Sequence, residues 1–99
     1  MDQTITTQTR QQVVDRIENK IEELTERLDF EKEHHKQLFY EELIVSDMID
    51  EAETIEEAEE WEMEQKILNS MMKMTENEID RLENELHKQF RMEIRAKHG

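Results

Sequence analysis

The sequence contains no proline and no cysteine, and its only glycine is the final residue, Gly99. A sheet-rich domain of this size needs turn residues, so their absence argues for helix. Without cysteine there is no disulfide framework, no thiolate metal site and no cysteine nucleophile. One glycine cannot build a phosphate-cradling loop. Ser46 and Ser70 are the only serines, and neither has the flanking glycines of a nucleophile elbow. No apolar run approaches the length that spans a bilayer, and the N-terminal stretch has no apolar leader core. The expectation is a cytoplasmic (intracellular), non-enzymatic protein with no cofactor and no membrane partner.

What is present is charge. Charged residues make up 40% of the chain and hydrophobic ones 34%, too polar for a thick monomeric core but suited to long helices that each bury one stripe. The formal charge is −14, and it is not evenly spread. Residues 1–40 carry nine acids against six bases, and residues 65–99 carry six against seven. Between them, Glu41–Glu64 holds twelve acids and no Lys or Arg. Direct binding to nucleic acid or an anionic membrane is disfavoured, because phosphate contacts need Lys and Arg. A basic protein partner is favoured.

Along the chain, Met1–Gln8 is Thr-rich and is expected to be a flexible tail. Thr9 and Gln12 have capping-box spacing, which marks the start of a helix. Val14, Ile17, Ile21, Leu24 and Leu28 follow at alternating steps of three and four, a coiled-coil seam. The same register then meets Glu31 and His35. Apolar density returns at Leu38, Phe39, Tyr40, Leu43, Ile44 and Val45, a cluster broad enough to suggest more than one neighbour. Ser46-Asp47 and Thr54 are candidate breaks, and Thr54 with Glu57 is a second capping box. A second seam runs through Ala58, Trp61, Gln65, Leu68, Met72, Thr75, Ile79, Leu82 and Leu86. Carrying the first phase forward places a core position at 56, whereas the second seam needs 58, so the phase slips between Val45 and Ala58.

These features predict an all-α fold: a long antiparallel helical hairpin with coiled-coil seams, forming a single domain over 9–99 with arms at about 9–45 and 54–97. A turn centred near 51–52 sets Ile17 by Leu86, Ile21 by Leu82, Leu24 by Ile79 and His35 by Leu68; a turn near 48 is nearly as good. A third break at Asn69-Ser70 or Thr75, or one unbroken rod, are the alternatives. Two amphipathic arms leave one side of each seam wet, so assembly into a homodimeric, four-helix-type bundle is expected. Val14, Ile17, Ile21, Leu24, Leu28, Leu68, Met72, Ile79, Leu82 and Leu86 are the candidate oligomerisation residues.

The candidate partner-binding residues are Glu53, Glu56, Glu57, Glu60 and Glu64, which share one helix face, together with Trp61 inside the acidic run. A solvated face is the simplest reading of the glutamates, and a seam position the simplest reading of Trp61. The functional reading is docking on a basic, nucleic-acid-binding protein, with carboxylates in place of phosphates. In composition the chain resembles the small, acidic, cysteine-free helical inhibitors that phages direct against nucleic-acid enzymes. A second reading starts from Glu31 and His34, one helical turn apart. This pair resembles one element of the ferritin-like di-iron carboxylate bundles, and implies an iron-binding protein assembled at subunit interfaces, with Glu62 or Glu64 supplied by the other arm. A structural scaffolding coiled coil is the third reading.

Overall fold

The computed structural model describes residues 9–98. It is all-α, a helical hairpin of two long helices: α1, Arg10–Glu51, and α2, Ile55–His98. The tail expected over 1–8 lies outside the described residues.

Both helices begin on a threonine cap. Thr9 and Gln12 form a reciprocal box: the Gln12 amide donates to Thr9 Oγ1 (3.1 Å), and the Thr9 amide donates to Gln12 Oε1 (3.0 Å). Two otherwise orphaned amides are satisfied together. At the start of α2 the Glu57 amide donates to Thr54 Oγ1 (3.1 Å), while Glu57 Oε2 accepts from the Glu53 amide (3.5 Å). The second box therefore reaches one residue further back than the first. Between the helices, Ala52, Glu53 and Thr54 form the corner, with the Ala52 amide closing onto the Ile49 carbonyl (3.3 Å). Among the described residues none has positive φ, which is how a chain without internal glycine can turn here. The dipole is matched on α2, with Glu56 and Glu57 in its first turn and Arg95, Lys97 and His98 in its last. α1 has no basic residue in its last turn.

Three candidate breaks are absent. α1 runs through Ser46-Asp47 to Glu51, past the boundary expected at 45. Ser46 Oγ donates to Glu42 Oε1 (2.8 Å), and Gln65 Nε2 on α2 donates to both Glu42 Oε1 (3.0 Å) and Ser46 Oγ (3.1 Å). The serine is a cross-helix tie, not a cap. α2 likewise continues through Asn69-Ser70 and Thr75, because the Thr75 hydroxyl donates back to the Met71 carbonyl (2.8 Å) instead of capping a new helix.

The described residues divide into two compact units. Unit 1 takes those up to Leu28 and from Arg81 onward; unit 2 is Asp29–Asp80. In unit 1 the buried side chains are Val14, Ile17, Leu24 and Leu28 from α1 with Leu82, Leu86 and Gln89 from α2; Leu82 has no exposed surface (0%). Burial of each of the aliphatic side chains contributes roughly 1.5–3 kcal/mol. Lys97 Nζ donates to Glu18 Oε2 (3.3 Å) and lies 3.6 Å from Glu93 Oε2. The hydrogen bond to Glu18, helped by the Glu93 charge, holds the Lys97 ammonium above its usual range. In unit 2 Leu38, Val45 and Leu68 form the core, with Ile49, Trp61 and Met72 packed against it.

The expected register needs correction. His35 does not face Leu68: its Nε2 lies 3.1 Å from Glu76 Oε1, which accepts, while Leu68 packs with Leu38 and Val45. In unit 1, Ile17 shares a groove with Gln89 and Met92, further along α2 than the expected Leu86. The corner at 52–54 lies later than the expected 51–52, and in unit 2 the Gln65 tie fixes the pairing.

That tie is directly testable. Gln65→Leu leaves the half-buried Glu42 carboxylate without its cross-helix donor and is expected to lower stability by about 1 kcal/mol. Glu42→Leu/Ser46→Ala/Gln65→Leu replaces all three polar members and restores or exceeds the original stability. Urea unfolding measures both; Gln65→Leu at or above the original stability would show that the tie holds nothing.

Candidate functional site

The charge is divided unevenly between the two units. Unit 2 holds eighteen acids and four bases, and the rest of the chain nine of each, so the whole formal charge of −14 belongs to unit 2. Asp29, Glu31, Glu33, Glu76, Glu78 and Asp80 add to the central block, while Lys32, Lys36, Lys66 and Lys73 offset part of it.

Glu53, Glu56, Glu57, Glu60 and Glu64 are all exposed. From Glu57 the pattern is regular. Glu57, Glu60, Glu64, Ile67, Met71, Met74 and Glu78 alternate steps of three and four, so they share one side of α2 beside the seam. The stripe is anionic from the corner to Glu64, becomes apolar at Ile67, Met71 and Met74, and closes on Glu78. Its apolar members are not core: Ile67 is 53% exposed and Met74 71%. Across from them on α1, Phe30 is 69% exposed. Phe30, Glu31 and His34 line a groove of about 450 Å³ together with Met71, Met74, Thr75 and Glu78. The Phe30 and His34 rings stack at a tilt, with centroids 6.3 Å apart.

Trp61 is placed differently from the glutamates around it. It is half-buried, with its ring packed against the Leu38–Val45–Leu68 core in the seam. The ten residues expected to mediate self-association also lie in the intramolecular seam. Val14, Ile17, Leu24, Leu28, Leu68, Leu82 and Leu86 are buried, and Ile21, Met72 and Ile79 are half-buried. Of the broad apolar cluster, only Leu38 and Val45 reach the core, whereas Phe39, Tyr40, Leu43 and Ile44 are exposed. Phe39 and Tyr40 meet edge to face (6.2 Å), with Lys36 Nζ 6.0 Å from the Tyr40 ring centre.

Glu31 and His34 are half-buried, and the groove adds Glu78 to them, but among the described residues no group of three or more His, Asp or Glu side chains could hold a metal. Glu62 lines a different groove, with Ser46, Ile49 and Gln65, and so does not complete the Glu31–His34 pair within the chain. No helix among the described residues is long and apolar enough to cross a membrane.

No family model, curated protein or solved structure matches the chain. Its functional reading rests on the physical character of this face.

The apolar continuation is what sequence reasoning missed. Its signal was present, since Ile67, Met71 and Met74 extend the spacing of the glutamates, but residues beside a seam stand out only once the seam is fixed.

The placement of Trp61 yields an expectation for the free protein: a blue-shifted emission spectrum and weak quenching by acrylamide, a neutral probe that the acidic surface does not repel. Emission as in water, with full quenching, would place the ring outside the seam.

Proposed function

We propose that this chain is a non-enzymatic interaction protein that uses the acidic surface of unit 2 to dock on a basic protein. The observation that carries this reading is the charge partition: unit 2 bears the entire −14, while the rest of the chain is balanced. Like charges one helical turn apart, such as Glu60 and Glu64, destabilise a helix by about 0.2–0.5 kcal/mol per pair. A surface that carries this penalty along successive turns is a poor solution for solubility alone, since interspersed charges of both signs would keep the chain soluble without it. It is a good solution for steering a cationic partner, because the field adds over the whole unit.

A basic, nucleic-acid-binding protein is the partner class that fits best. Its groove is already built to receive a row of anions, and exposed carboxylates along a helix present such a row. On this reading the chain competes with nucleic acid for that groove and acts as an inhibitor.

Glu60→Gln/Glu64→Gln separates function from folding. Removing a repulsive pair should leave helicity intact and stability equal or slightly higher, while capture of nucleic-acid-binding proteins from cell extract falls. Capture by the original chain should weaken by roughly tenfold or more between about 0.05 and 0.5 M salt, and should be displaced by added duplex DNA. Capture that ignores salt, DNA and the double substitution would contradict the proposal.

A further inference from the structure

The acidic stripe runs into a face of unit 2 that is apolar, open and uncovered. On α2 this face is Ile67, Met71 and Met74; across the groove of about 450 Å³ stands Phe30. Ile44, two heptads beyond Phe30, and Met48, one turn further, are exposed apolar side chains on the same side of α1, separated from Phe30 by Gln37 and Glu41. Exposed apolar side chains grouped around one groove, Phe30 with Met71 and Met74, mark an interaction site, and on so charged a chain they are not explained by solubility.

The rim decides between occupants. Glu57, Glu60 and Glu64 border the patch on the side of the corner, and Glu78 closes its other end. A second copy would bring another eighteen acids and four bases against this rim, so apolar contact would be opposed by like charge. A cationic occupant meets the same rim with opposite charge. The trough between two packed helices accepts a third helix laid along it, in the helix-in-groove mode. Methionine suits that task, because its unbranched side chain repacks around whatever apolar residues arrive.

The geometry points to a basic amphipathic helix as the occupant of this face, its apolar side in the Phe30–Met71–Met74 groove and its lysines or arginines against Glu57, Glu60, Glu64 and Glu78. This inference rests on the acidic-docking reading and specifies the partner segment that such docking engages.

The test uses the full chain and three synthetic peptides of equal length, followed by calorimetry. The first is a leucine–lysine amphipathic helix; the second has the same residues scrambled so that no apolar side forms; the third carries glutamate in place of lysine. The first is expected to bind roughly tenfold or more tighter than the second, and the third not to bind. Met71→Gln/Met74→Gln, both at exposed positions, should weaken the first peptide by roughly tenfold and leave the second unchanged, with the helical signal of the chain intact. Ile67→Gln provides an independent check on the same patch.

Equal binding of the first and second peptides, or indifference to Met71→Gln/Met74→Gln, overturns the groove inference and leaves charge-driven docking standing. Failure of both basic peptides to bind overturns both. If sedimentation finds the free chain to be a dimer at micromolar concentration that Met71→Gln/Met74→Gln dissociates, the occupant is a second copy and the inference is wrong.

Discussion

Two helices can bury only the stripe that each turns to the other, and the rest of this structure depends on that limit. The stripe is well filled: leucine, isoleucine and valine at alternating steps of three and four, with Leu82 fully buried in unit 1 and Leu38, Val45 and Leu68 grouped in unit 2. Where polar residues enter the seam they are satisfied. Gln65 bonds Glu42 and Ser46, Thr75 bonds the Met71 carbonyl, and Gln89 bonds Glu85. Among the described residues no buried side-chain polar atom lacks a partner. The Gln65 tie, which joins the two helices, resists sliding, because a shift of one heptad would strand the amide and the carboxylate together.

What lies outside the stripe must be exposed, and its composition is where function can reside. In unit 1 that surface is electrically balanced, and Lys97 pairs with Glu18 and Glu93. In unit 2 it is anionic and, beside the groove, apolar. The two characters share one side of α2, so charge can orient an incoming partner and apolar contact can hold it. In the proposed docking, electrostatics would set approach and specificity, and desolvation of the apolar patch would slow dissociation.

Local chemistry explains how much of this was legible in advance. Thr9 with Gln12 and Thr54 with Glu57 were readable as helix starts because a cap is a contact between residues three apart. The first seam was readable because valine, isoleucine and leucine recur without interruption from Val14 to Leu28. Ser46 was misread because a serine after an apolar cluster suits either a helix end or a side-chain tie, and Gln65, far along the sequence, decides which. The register was misjudged because several pairings satisfy the apolar pattern equally, and only the Gln65 and Glu76 contacts choose among them. Phe39, Tyr40, Leu43 and Ile44 suggested more than one neighbour, and they are exposed because a two-helix layer has no room for them in its seam. The proposed docking face was half legible: its glutamates stood out by charge, while Ile67, Met71 and Met74 looked like ordinary helix content.

The central claim is that the side of α2 from Glu57 to Glu78 forms one continuous docking face. Methyl NMR of the methionines during titration with a basic amphipathic peptide tests this most directly, because methionines lie both on the face and away from it. The account predicts that Met71 and Met74 shift first and most, that Met72 in the seam moves little, and that Met92 in unit 1 stays in place. Shifts concentrated at Met92, or spread equally over all of them, would contradict it.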